Sequence, residues 1–148
     1  METDRKPIFH LRKENYLLTN DNSKLQEDVV LNYLKRSYWA AKTPPEVIIK
    51  SIKNSLCFSL FEGDKQIGFA RVITDYARFA YFADVFILEE WRGKGLSKWM
   101  LNEILNLPVF KNIKWMLATS DAHKLYTQFG FEMLMDCEKY MIRKPADN

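Results

Sequence analysis

One stretch limits the fold more than any other: Val85-Phe86-Ile87-Leu88-Glu89-Glu90-Trp91-Arg92-Gly93-Lys94-Gly95-Leu96-Ser97-Lys98-Trp99-Met100. An apolar, strand-like run passes through a basic, glycine-rich turn directly into a helix-like run. The first N–H groups of a helix have no partner inside the helix, and the helix dipole makes that end positive. Such a start receives a phosphate or pyrophosphate, and glycines let the backbone approach the anion closely. Arg92, Lys94 and Lys98 add positive charge beside it.

The remaining elements follow from spacing. Tyr16-Leu17-Leu18 is the first strand. Ser23-Lys24-Leu25-Gln26 reads as a capping box. Leu25, Val29 and Tyr33 then fall on one helical face, in a helix ending near Ser37. Thr43-Pro44-Pro45-Glu46 starts a second helix, which runs to about Asn54. Leu56 to Phe61 and Gln66 to Thr74 form a hairpin across Glu62-Gly63-Asp64-Lys65. Phe79 to Leu88 is the fourth strand. After the glycine turn, Leu96, Trp99, Met100 and Ile104 share a helix face, and this helix ends before Pro108. Ile113 to Ala118 is the fifth strand. Ser120 or Asp121 caps a short helix through Phe129, with Gly130 as its stop. Phe131 to Leu134 and Lys139 to Ile142 are expected as closing strands. This order predicts a mixed α/β (α+β) fold with one sheet flanked by helices.

Length and charge set the outer bounds. A chain of 148 residues is expected to form a single domain, with Met1 to Lys6 loose. A net charge of +3 does not argue for nucleic acid. No signal peptide or membrane-length apolar run appears, so the expected location is cytoplasmic, with no membrane partner. Cys57 and Cys137 stand in no metal or redox spacing, so no metal is expected, and both are expected to be reduced and buried.

Three phosphate-binding patterns compete for the turn. The P-loop spacing is absent. A dinucleotide fingerprint lacks its third glycine in Gly93-Lys94-Gly95-Leu96-Ser97-Lys98, and no βαβ unit opens there. The third pattern, Arg/Gln-x-x-Gly-x-Gly/Ala, fits Arg92 to Ser97 except that serine occupies the last small position.

On this turn, and on Asp121-Ala122-His123-Lys124-Leu125-Tyr126-Thr127-Gln128-Phe129-Gly130-Phe131, the chain resembles the GCN5-related N-acetyltransferases (GNATs). The resemblance covers nearly the whole chain in element order. Ala70-Arg71-Val72-Ile73-Thr74-Asp75-Tyr76, with Ala83-Asp84-Val85-Phe86, is similar to a bacterial subgroup with unassigned substrates. The resemblance implies an acyl-CoA N-acyltransferase-like fold. Its central sheet is mixed, mostly antiparallel, and split between the fourth and fifth strands. It implies acetyl-CoA as cosubstrate and an amine acceptor on a small molecule or peptide. The pantetheine arm would lie along Phe86, Ile87 and Leu88. Arg92, Gly93, Lys94, Gly95, Leu96, Ser97 and Lys98 would hold the pyrophosphate. Tyr126 would be the general acid for the departing thiolate.

The base is a separate question. Some family members place a glutamate where this chain has Tyr81. Asp84 is the nearest carboxylate on that strand and is the candidate base or proton relay. Asp75 and Tyr76, with Tyr38 and Trp39, are candidates for the acceptor side. A hairpin between the two strands would bring Asp75 and Asp84 together there. Strand alternation puts Asp84 and Phe86 on one face, and Val85 and Ile87 on the other, unless a bulge intervenes. His123 can share a helix face with Tyr126 and is read as a capping or surface group. Two further functional readings stay open: an idle acyl-CoA-binding sensor and a mononucleotide-binding domain. The assembly expected is a monomer or homodimer.

Overall fold

A computed structural model describes residues 7–146 of the chain; the expected loose segment Met1 to Lys6 lies outside them. The elements are β1 (His10–Lys13), β2 (Tyr16–Thr19), α1 (Glu27–Leu34), α2 (Pro45–Lys53), β3 (Leu56–Glu62), β4 (Lys65–Thr74), β5 (Phe79–Ile87), α3 (Leu96–Leu105), β6 (Lys114–Leu117) and α4 (His123–Thr127). They fall into two compact units, one running to Ala118 and one starting at Thr119.

The first unit is an open six-stranded sheet in the order β1-β2-β3-β4-β5-β6. Every neighbouring pair is antiparallel except β5 and β6, which are parallel. Parallel neighbours need a crossover, and α3 supplies it while packing against β5. β3 is buried along almost its whole length, as suits a central strand whose run is apolar apart from Ser59 and the terminal Glu62. From α1 and α2, Val30, Tyr33, Leu34, Ile48 and Ile52 pack with Cys57, Phe69 and Phe86 of the sheet. α3 buries Leu96, Met100, Leu101 and Ile104.

β1 was not expected. His10-Leu11-Arg12-Lys13 carries no apolar alternation, and it is a strand only because it pairs with β2 at the sheet edge. A short, charged strand is how edges resist pairing with other chains. The capping box also does not form. Ser23 donates through Oγ and N to Asp21 Oδ1, and α1 begins later, after Gln26. Gln26 N–H donates to Gln66 Oε1, and Gln66 N–H donates to Gln26 Oε1, so the start of β4 fixes the start of α1. α1 ends at Leu34, earlier than the apolar spacing suggested.

Close packing in the sheet centres on Gly68. A Cβ there would lie 2.7 Å from Ile87 Cδ1, 3.2 Å from the Phe86 carbonyl oxygen and 3.3 Å from Leu60 Cβ. The missing side chain lets the end of β5 lie close to β4.

In the second unit, α4 follows Thr119, whose Oγ1 accepts from Ala122 N–H at 3.0 Å, and the N-cap position is Ala122, not Ser120 or Asp121. Phe131 N–H donates to Tyr126 O and Gly130 N–H to Thr127 O, with Gly130 at φ +86. That is a Schellman stop at the expected glycine. The two closing strands do not form. Residues 131–142 are irregular apart from a short 3-10 turn at Cys137–Lys139. A strand requires a partner for its backbone groups, and no described strand pairs with this segment. Among the described residues, no helix is long and apolar enough to cross a membrane.

Candidate functional site

The parallel ladder between β5 and β6 runs from the Phe79–Lys114 pair to the Phe82–Leu117 pair and stops. β5 continues to Ile87 without β6 beside it. A gap therefore opens at the carboxyl ends of two parallel strands, where ligands of open α/β sheets bind. In the same stretch β5 bulges. Phe69 pairs with Phe86 and Arg71 with Ala83, so Ala70 alone faces both Asp84 and Val85. Asp84 takes the left-handed conformation, φ +52. The extra residue breaks the simple alternation, so Ala83 and Phe86 share a face although they are three apart.

Phe86 and Ile87 are buried, and Leu88 is half-buried. Phe86 stacks on Tyr33 of α1 with ring centroids 4.0 Å apart and planes 10° from parallel. Leu88 N–H donates to Ile67 O at 2.8 Å, tying the end of β5 to β4.

The turn then runs from Glu89 to Gly95. Gly93 and Gly95 have φ +78 and +76, which explains the residue type at both. A Cβ at either would meet nothing within 4 Å, so the outer surface of the turn is open. Gly95 is the N-cap of α3, and no side chain caps the helix. The first intrahelical bond is Trp99 N–H to Gly95 O, which leaves the Leu96, Ser97 and Lys98 N–H groups without intrahelical acceptors. Lys94 and Lys98 are exposed, Ser97 is half-buried and Leu96 is buried. No acidic residue stands in the first turn of α3. The positive charge and free N–H donors of this helix start are of the kind that receives an anion such as a pyrophosphate.

Arg92 points elsewhere. Its Nε donates to Ile87 O at 3.1 Å, and its Nη2 donates to the Tyr33 hydroxyl at 2.6 Å. It staples the turn to α1. Glu89 pairs with Arg36, which holds the Glu89 carboxyl below its ordinary range. Arg36 also lies 4.6 Å above the Tyr33 ring.

The acceptor-side candidates divide into two places. Trp39 and Asp84 meet: the indole Nε1 donates to Asp84 Oδ1 at 2.9 Å. Tyr38 lies edge-on to Trp39, with ring centroids 5.0 Å apart. Arg71 Nε donates to Asp84 Oδ2 at 2.8 Å, and this ion pair is largely buried, with side-chain exposures of 15% and 10%. Asp75 and Tyr76 are not part of this group. They lie in the turn beyond the Thr74–Ala80 pair, whereas Asp84 is ~13 Å further along β5 at ~3.3 Å per residue. Asp75 Oδ1 accepts from the N–H groups of Ala77, Arg78 and Phe79. Those backbone bonds, that from Arg78 foremost, hold its carboxyl below the usual range. The hairpin therefore separates the two aspartates instead of joining them.

In the second unit, Tyr126 is buried on α4 with its ring edge-on to Phe131, centroids 5.8 Å apart, and His123 is exposed. Cys57 is buried, and burial pushes its thiol up to about 12; Cys137 is exposed, against expectation. Among the described residues, no group of three or more His, Cys, Asp or Glu side chains could hold a metal ion. Sequence reading assigned no role to Tyr33, Ser55 or Arg71. Arg71 carried a usable signal, because a charged side chain inside the apolar run Ile67 to Ile73 needs a buried counter-ion.

Comparison with known proteins adds a family. A sequence model of the acetyltransferase (GNAT) domain matches residues 53–133. A protein of Gibberella zeae, named as a presumed acetyltransferase, is 31% identical over 136 residues, covering 76% of each chain. A crystal structure of a Xanthomonas campestris protein, assigned to the GNAT family, superposes with a TM-score of 0.85 at 37% identity. It covers 90% of this chain and 96% of that one. A predicted acetyltransferase of Clostridium acetobutylicum, crystallised with acetyl-CoA, shares the fold at 15% identity and a TM-score of 0.61, covering 88% and 95%.

Proposed function

Because the chain belongs to the GNAT acetyltransferase family, we propose that it moves an acetyl group from acetyl-CoA directly to a primary amine of a small molecule or peptide. Both substrates would be held in one ternary complex. One observation carries this reading: the ladder that stops at Phe82 and Leu117, while β5 runs on to Ile87 and turns through two left-handed glycines into the uncapped start of α3.

Acetyl-CoA, when bound, supplies an activated acetyl thioester. The α3 N–H groups, with Lys94 and Lys98, receive its pyrophosphate. Backbone groups of Phe86, Ile87 and Leu88 line its pantetheine arm. β5 has no ladder neighbour on the β6 side there, so polar groups facing that side can pair with a ligand amide. Arg92 supports this site from behind by locking the turn to Tyr33 and Ile87. Tyr126 is assigned the proton donor to the thiolate on the strength of its Leu125-Tyr126 to Gly130-Phe131 motif. A phenol suits that task, because its ordinary pKa of ~10 keeps it protonated at neutral pH.

One observation favours a second reading, an acyl-CoA-binding module that does not transfer. The Asp84 carboxylate is engaged by Arg71 and Trp39, and by the family resemblance Tyr81 takes the position at which some members carry a glutamate base. The test joins calorimetry of acetyl-CoA binding to a free-thiol assay over a panel of primary amines and peptides. Thiol release that requires both acetyl-CoA and an amine supports transfer. Binding with no release for any amine supports the sensor. Failure to bind acetyl-CoA, with ATP bound instead, overturns both.

A further inference from the structure

Asp84 is a non-glycine residue in left-handed backbone inside a strand. Aspartate tolerates that conformation better than most residues. What holds it there is a chain of contacts across the fold. Ser55 Oγ, just before β3, accepts from Arg71 Nη1 at 3.0 Å. Arg71 Nε donates to Asp84 Oδ2, and Asp84 Oδ1 accepts from the Trp39 indole. Ser55, β4, the β5 bulge and the loop between α1 and α2 are thereby joined through one carboxylate.

This arrangement does not suit a base. A general base must aim a lone pair at the acceptor proton and be free to take it. Both Asp84 oxygens already accept bonds inside the protein. Protonating the carboxylate would leave the Arg71 guanidinium largely buried without its counter-ion. The ionisable groups around it are Arg71 on β4 and the Cys57 thiol on β3, which its burial keeps neutral.

It does suit a latch. Trp39 is 40% exposed, yet its ring has contacts on several sides. Tyr38 meets it edge-on, Tyr33 lies 6.3 Å away, and Tyr33 in turn stacks on Phe86 beside the bulge. The indole N–H bond fixes where this aromatic group sits relative to β5.

We propose that Asp84 is a positioning residue. It anchors the α1–α2 loop to the β5 bulge through Trp39, so that Tyr38 and Trp39 form a fixed wall on the acceptor side. What the wall does rests on the acetyltransferase reading above; the latch itself does not.

Two variants test it. Trp39→Phe keeps an aromatic ring and deletes the donor. Asp84→Asn keeps an oxygen for the indole and removes the charge. Hydrogen exchange of the 36–44 amides reads the latch without any need for activity. Losing a hydrogen bond to a charged group should speed exchange in that loop about tenfold in Trp39→Phe. The acceptor KM should rise by a similar factor, about tenfold, while kcat changes less and acetyl-CoA affinity is unchanged. In Asp84→Asn the pH profile of kcat/KM should keep the wild-type shape. Unchanged loop exchange in both variants would overturn the latch. Loss of the acidic limb of the pH profile in Asp84→Asn would overturn the positioning role and make Asp84 the base. If wild-type protein neither binds acetyl-CoA nor releases thiol, the acetyltransferase reading fails, and the exchange data still decide the latch.

Discussion

Gly95 offers a way to separate stability from ligand binding at a single position. Its φ of +76 is costly for any residue with a Cβ, but a Cβ there meets nothing within 4 Å. The penalty for Gly95→Ala is therefore backbone strain alone, about 1–2 kcal/mol. For a chain of this size that lowers the melting temperature by ~2–8 °C. Gly95→Glu incurs the same strain but puts a carboxylate at the start of α3, which returns ~0.3–1 kcal/mol through the helix dipole. It should therefore melt no lower than Gly95→Ala. Ligand binding should move the other way. A carboxylate ~5 Å from a pyrophosphate charge costs roughly 1–3 kcal/mol at effective dielectrics of ~80 to ~20. That weakens CoA binding by roughly 5- to 150-fold, with less loss in high salt. Thermal unfolding and calorimetry of CoA at two salt concentrations read both effects. Equal CoA affinity in the two variants would refute the pyrophosphate assignment. A melting-temperature loss far beyond ~8 °C in Gly95→Ala would refute the claim that the turn is open and that strain is its only cost.

Three further outcomes are expected. Gly68→Ala should destabilise by about 1–3 kcal/mol, because Ile87 can swing its terminal methyl aside but the Phe86 carbonyl at 3.2 Å is backbone; a denaturant titration with an unchanged midpoint would contradict this. Tyr126→Phe should leave CoA binding intact and cut turnover by ~10²-fold, and full activity would make Tyr126 a packing residue. Cys57 should resist thiol reagents in the folded protein while Cys137 reacts at once. Burial raises the Cys57 thiol from 9.0 to about 12, so its contribution to stability is complete below pH 9 and is lost as pH rises toward 12. A Cys57→Ala variant with the same alkaline unfolding profile as wild type would contradict that link.

The parts of the site that were legible in the chain are those set by local rules. Gly93, Gly95 and Gly130 each stand at positive φ, where a neighbouring side chain is not needed to predict the residue type. The hairpin at Gly63, the long fourth strand and the helix after Gly95 also follow from patterns within a dozen residues. The parts misread depend on partners elsewhere. Ser23 has a capping pattern, but Asp21 takes its hydroxyl and Gln66 sets where α1 starts. Phe131 to Leu134 and Lys139 to Ile142 have strand composition, but composition does not supply a neighbouring strand.

The sequence by itself determined the order of most elements, the glycine turn between a strand and a helix, and the pair of motifs that mark the family. Tertiary structure decided how the charged side chains are used. Arg92 is committed to Tyr33, 59 residues away; Asp84 is committed to Arg71 and Trp39, 13 and 45 residues away. The physical reason is separation along the chain. Backbone conformation answers to a residue's own Cβ and its near neighbours. A buried charge answers to whichever counter-ion the sheet register brings beside it, and here a one-residue bulge opposite Ala70 sets that register.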